Sequence, residues 1–128
     1  MDVDRLKKFD LFASLPDDQL EKIAATANEW SADDGEELIQ AGADSFQVFA
    51  IEDGKVEVRK EDETLATVGP GDVVGEIGVA KRGLRKASVC VRGKAEGFFL
   101  TNSQVEMLRR EAPDFEQRLQ SLVEERGF

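Results

Sequence analysis

The chain has 128 residues, enough for one hydrophobic core and too few for that core plus a second globular effector, so a single domain over 1–128 is expected. A formal net charge of −10 excludes a broad nucleic-acid surface, because gripping a phosphate backbone takes many uncompensated Lys and Arg side chains. The absence of an 18-residue apolar run and the polar start from Met1 to Lys8 argue against a membrane helix and a secretory leader and leave a cytoplasmic location; the one cysteine rules out an internal disulfide.

In chain order, residues 1–29 read as a helical segment. Leu20, Ile23, Ala24 and Ala27 recur at helical spacing and Pro16 suits a first turn, which predicts an amphipathic helix from Asp17 to Ala27 with Leu11, Phe12 and Leu15 packed beside it. From Trp30 the texture changes to short β-prone segments cut by Asp33-Asp34-Gly35, Asp53-Gly54 and Gly69-Pro70-Gly71-Asp72. Asp53-Gly54 has the chemistry of a two-residue primed turn, which predicts a hairpin joining Phe46–Glu52 to Lys55–Lys60. A second hairpin turns near Asp62-Glu63, and further strands are predicted at Leu65–Val68, Ala87–Arg92 and Gly97–Leu100. Cys90, inside Val89-Cys90-Val91, reads as a small buried hydrophobe. The fold class is therefore mainly β with flanking helices: an antiparallel jelly-roll barrel over 30–100, an N-terminal helix, and C-terminal helices over 101–128. In that last part Ser103 and Glu106 suggest a capping box, Pro113 starts a second helix, and Phe115, Leu119, Leu122 and Val123 form an apolar stripe. The stripe suits packing on the barrel, with a second copy of the chain as the alternative.

Between the predicted strands, Gly75-Glu76-Ile77-Gly78 is followed after six residues by Arg85-Lys86-Ala87-Ser88. Glycines give backbone N–H groups close access to an anion, a carboxylate accepts hydrogen bonds from sugar hydroxyls, and a guanidinium grips phosphate oxygens in a fork. The window from Lys81 to Lys86 carries four basic residues and no acidic one against an acidic background. A solvated loop would account for those charges alone; the attached Gly-Glu pair favours an anion site. If Gly75 to Ala80 forms a helical turn, its unpaired N–H groups add a partial positive charge where a phosphate could lie.

This pattern resembles the phosphate-binding cassette of the cyclic nucleotide-binding domain family, and the similarity extends upstream through Val68-Gly69-Pro70-Gly71-Asp72, Gly35, Ile39, Gly42, Gly54 and Val56, over about residues 10 to 126. The resemblance implies an eight-stranded roll, cyclic nucleotide as ligand and no catalytic residue, metal or further cofactor. It places ligand contacts on Gly75, Glu76, Ile77, Gly78, Arg85, Lys86 and Ala87, with Val74 and Ser88 as further pocket residues. Arg85 would hold the phosphate and Glu76 the ribose 2′-hydroxyl. Lys86 stands where a hydroxyl would favour guanine, which tilts the choice to cAMP, with cGMP as the alternative. Ser88 replaces a threonine, and Val74 a large aromatic that would wall the sugar. A residue of the C-terminal helices closes over the base in relatives; Leu122, Val123 and Phe128 are the positional candidates.

The function expected is a regulatory sensor that signals through its C-terminal helices to a second copy or an effector protein, without direct contact to nucleic acid or membrane. Two other readings keep the fold: a ligand-free interaction module, and the sensor half of a catabolite-activator-like transcription regulator separated from its DNA-binding domain. A metal-dependent enzyme on a similar roll is disfavoured, since the chain has no histidine and Asp44, Glu57 and Asp62 do not cluster in sequence.

Overall fold

The computed structural model of the chain describes residues 1–42, 47–76 and 87–126. Among these, three helices, α1 (Val3–Lys7), α2 (Asp10–Ala13) and α3 (Asp17–Thr26), precede six strands: β1 (Asn28–Ala32), β2 (Glu37–Ile39), β3 (Val48–Lys60), β4 (Glu63–Val68), β5 (Val73–Val74) and β6 (Ser88–Leu100). Two helices, α4 (Asn102–Glu111) and α5 (Pro113–Arg126), follow. None of the described helices is long and apolar enough to cross a membrane.

The two long strands organise the sheet. β3 and β6 pair antiparallel from Val48 with Leu100 to Arg59 with Ser88, and the register shifts twice between Ile51 and Lys55. Such irregularities bend a strand and raise its twist, so the two halves of each long strand can take different neighbours within the one sheet. The first half of β3 and the last half of β6 take β1 and β5 as neighbours; the other halves take β2 and β4. This is the antiparallel roll that the sequence predicts, with one difference. Among the described residues the main hydrogen-bonded path runs β1-β6-β3-β4 and does not close into a barrel.

The bend also corrects the hairpin expected at Asp53-Gly54, because β3 runs straight through those residues. Gly54 has φ of +90°, and a Cβ there would stand 2.3 Å from the Lys94 carbonyl oxygen. The glycine is therefore demanded by the crossing of β3 and β6 rather than by a turn, and both uses look alike in sequence. For the same reason Ala87–Arg92 and Gly97–Leu100, expected as separate strands, are parts of one strand beginning at Ser88. The hairpin after β3 turns on Glu61-Asp62, one residue earlier than expected, since Lys60 pairs with Glu63.

Strand alternation divides the apolar residues between two cores. Val48, Ala50, Val73, Phe98 and Leu100 face the helices, whereas Phe49, Ile51, Val56, Val58, Val74, Val89 and Val91 fill the roll. Cys90, between Val89 and Val91, faces the other way and is half-buried, not the buried hydrophobe expected. On the helical side Leu11, Phe12, Leu15, Leu20, Ile23 and Ala24 are buried as predicted. The short helices α1 and α2 were not legible, being under two turns each; they add Leu6 and Phe9. Phe115, Leu119 and Val123 are buried, so the stripe on α5 packs on its own chain.

The capping box of α4 is Thr101 with Gln104, not Ser103 with Glu106. Thr101 Oγ1 accepts from the Gln104 N–H at 3.4 Å and Gln104 Oε1 accepts from the Thr101 N–H at 2.8 Å. Both pairs have the required three-residue spacing; the end of β6 at Leu100 selects the earlier one.

A fork from Arg109 ties α4 to α5, its Nε donating to Glu116 Oε2 at 2.6 Å and its Nη2 to Oε1 at 3.0 Å. The Arg109 guanidinium holds the Glu116 carboxyl below the usual carboxylate range, assisted by Gln120. A depressed folded-state pKa stabilises the fold above the unfolded value, and the contribution fades as pH falls through the folded one. Glu116→Gln is thus expected to lower the melting temperature at pH 7, by an amount equivalent to about 1 kcal/mol or less for a pair that keeps contact with solvent, and the difference should shrink as pH falls through the folded-state pKa of Glu116. Thermal melts across pH check it; a constant difference would remove the ion pair as its cause.

Candidate functional site

β5 delivers the chain to the first half of the predicted cassette. Val73 turns its side chain to the helical core and Val74, 1% exposed, turns into the roll. Gly75 follows with φ of +94°, a conformation that L side chains avoid, so glycine is required at this point whatever the ligand. Glu76 comes next and is 2% exposed, the one charged residue buried among those described.

A buried carboxylate needs a partner, since desolvation without one is costly. Arg126, in the last turn of α5, supplies it: Nη1 donates to Glu76 Oε1 at 2.8 Å and to the Val73 carbonyl, and Nη2 lies 3.9 Å from Asp72 Oδ1. Arg126 was not among the sequence-derived candidates. Its spacing carried a signal, since it stands three residues after Val123 and seven after Leu119 on the buried stripe of α5. What that stripe faces could not be read from spacing.

At the cassette's other end, Ala87 is half-buried against the core of the roll and Ser88 opens β6 opposite Arg59. The Ser88 hydroxyl accepts a hydrogen bond from the Ala41 N–H at 3.0 Å, which fastens the start of β6 to the segment after β2. Ile77, Gly78, Arg85 and Lys86 lie outside the described residues, as does the rest of the helical turn expected up to Ala80, and so does Phe128. Of the candidates for covering a base, Val123 is buried and Leu122 is partly buried against the helical core.

A cavity of about 500 Å³ opens elsewhere, between α1 and the strands β1, β3 and β6, beside Arg5, Glu29, Trp30, Glu52 and Glu96. Arg5 is committed there to two carboxylates: its Nε donates to Glu52 at 2.8 Å and its Nη1 lies 2.8 Å from Glu29. Those carboxylates hold the guanidinium above its ordinary range. The lining is net acidic, so the cavity repels an anion and does not compete with the cassette as a phosphate site.

A family model described as the cyclic nucleotide-binding domain matches residues 29–112. A cGMP-dependent protein kinase of Caenorhabditis briggsae is 27% identical over 105 residues, covering 82% of this chain and 14% of the kinase. Among solved structures, cAMP-bound PfPKA-R superposes with a TM-score of 0.86 at 22% identity, covering 98% of this chain and 43% of that one. A putative cyclic nucleotide-binding protein of Geobacter metallireducens gives 0.82 at 21% identity, covering 94% of this chain and 91% of that one. The chain thus spans a small part of the kinase and under half of PfPKA-R, and at these identities the structural likeness establishes the fold.

Proposed function

Because the chain belongs to the cyclic nucleotide-binding domain family, we propose that it is a regulatory sensor for a cyclic nucleotide, with cAMP as the ligand. The observation that carries this reading is the burial of Glu76 directly after Gly75, at the point where a ribose would be held and next to a C-terminal helix able to respond. The cyclic phosphate bears one negative charge. Arg85 neutralises it through two parallel hydrogen bonds, and the N–H groups of Gly75, Ile77, Gly78 and Ala87 are the backbone donors for its oxygens. Glu76 accepts from the ribose 2′-hydroxyl, Val74 and Ser88 bound the sugar end of the pocket, and Lys86 adds positive charge while offering no hydroxyl to guanine. That last difference favours adenine over guanine.

A ligand shifts the conformation of a protein only by its differential affinity for the two states, so the output must be an arrangement of α4 and α5 that differs between empty and filled cassettes. An effector protein or a second copy of the chain would read that arrangement. Isothermal titration calorimetry with cAMP and cGMP tests the reading: saturable binding at micromolar concentrations or below, tighter for cAMP, is expected. Tighter binding of cGMP would reverse the assignment of the base, and absence of heat from folded protein would remove the sensor function. In the latter case the second reading, an interaction module without a ligand, gains from a specific observation, since Glu76 already has an intramolecular partner in Arg126.

A further inference from the structure

The cavity between α1 and the strands β1, β3 and β6 already holds one guanidinium, that of Arg5, clasped between Glu52 and Glu29. A second pair of carboxylates borders the same cavity without such an occupant. Asp53 and Glu96 stand directly opposite each other on β3 and β6, both exposed, and neither has an ion-pair or side-chain hydrogen-bond partner among the described residues. Like charges at directly paired strand positions repel, and Arg5, committed to the other pair, does not relieve them. Trp30 forms a further wall. Its N–H donates to the Ala50 and Phe98 carbonyls at 3.3 and 3.2 Å, which fixes the indole, and the ring is only partly buried where it borders the cavity. A guanidinium can stack on such a ring and fork onto a carboxylate at once, which an ammonium does less well. The volume, about 500 Å³, is that of a site for several side chains rather than for one ion, and among the described residues no three acidic side chains are placed to share a metal.

We propose that this cavity is a docking groove for an arginine-bearing segment of a partner protein, whose guanidinium pairs with Asp53 and Glu96 beside Trp30 as Arg5 pairs with Glu52 and Glu29. The charge balance selects the partner: four carboxylates face the cavity against one guanidinium, so an acidic or neutral segment gains nothing there. The groove shares no residue with the cassette and stands independently of the nucleotide reading. Because Asp53 and Glu96 are exposed, each new ion pair is modest in energy and screened by salt, and the complex is a weak, salt-sensitive one.

Trp30 is the one tryptophan of a chain without tyrosine, so its emission reports on this wall alone. The test follows that emission while the chain is titrated with a blocked peptide of alternating arginine and alanine, at low and at physiological salt. The unmutated chain is compared with the double variant Asp53→Asn, Glu96→Gln, and with Asp62→Asn, Glu63→Gln, which removes the same charge at the hairpin between β3 and β4. Neutralising Asp53 and Glu96 relieves a repulsion, so folding is not at risk, and circular dichroism confirms it. The groove predicts saturable binding with a Kd of about 100 μM or tighter, weakened about tenfold or more in the first double variant and by less than about twofold in the second. The same peptide with lysine for arginine should bind more weakly. An equal loss in both double variants, or spermine binding as tightly as the peptide, would reduce the effect to net charge and overturn the groove. The absence of a saturable change in the folded chain at peptide concentrations up to about 1 mM overturns it as well.

Discussion

Arg85→Ala is expected to weaken cyclic nucleotide binding by about 30- to 1000-fold, a loss of roughly 2 to 4 kcal/mol. The size follows from what the variant leaves behind. If Arg85 holds the cyclic phosphate as proposed, its loss leaves that charge without its guanidinium partner. Backbone N–H groups would still contact the oxygens, which is why some binding should survive. Arg85→Lys should recover only part of the loss, since an ammonium supplies the charge without the planar fork. The control is Arg92→Ala: Arg92 is exposed, donates to Glu57 from Nε at 2.8 Å and stands opposite Lys55 on β3, outside the cassette, so its removal should leave affinity unchanged. Calorimetric titration of the three variants decides between the roles. Affinity within threefold of the unmutated chain for Arg85→Ala would remove Arg85 from the site, and an equal loss in Arg92→Ala would show that overall charge, not a specific fork, sets the affinity.

The roll was legible because its signals are local. Alternation of apolar residues, turn residues between segments and the period of α3 and α5 each follow from a few neighbouring side chains, and the structure places them as expected. The errors arose where a local signal has two physical causes. Asp53-Gly54 has the composition of a hairpin turn, yet the glycine is required because β6 crosses β3 within 2.3 Å of where its Cβ would be, a constraint set by residue Lys94. Ser103 and Glu106 fit a capping box as well as Thr101 and Gln104 do, and only the end of β6 decides between them. The site divides in the same way. Gly75 and Glu76 stand out by type and order, whereas Arg126 has no motif; its role depends on α5 folding back over 50 residues to the segment after β5, and no short-range pattern encodes that meeting.

The helical side of the molecule should be the most sensitive to a single change, and Phe98→Ala is the substitution that tests it. Phe98 is 0% exposed at the centre of an aromatic cluster, with its ring edge-on to Phe9 at 5.3 Å and tilted against Phe12 at 6.1 Å; Phe12 in turn stacks on Phe115 of α5 at 6.1 Å. One strand residue thus holds together the N-terminal helices and, through Phe12, the C-terminal helix. Truncation to alanine removes the transfer free energy of the ring and leaves a cavity that two short helices and a strand cannot collapse to fill, at a cost of about 3 to 5 kcal/mol. That is a large share of the roughly 5 to 15 kcal/mol by which a native domain is stable. Phe99→Ala is the matched control, because alternation sends Phe99 to the opposite face, where it is only partly buried beside Phe49, and its loss should cost about half as much or less. Urea unfolding of the two variants measures both. If Phe98→Ala cost no more than Phe99→Ala, the aromatic cluster would not be what fastens the helices to the sheet.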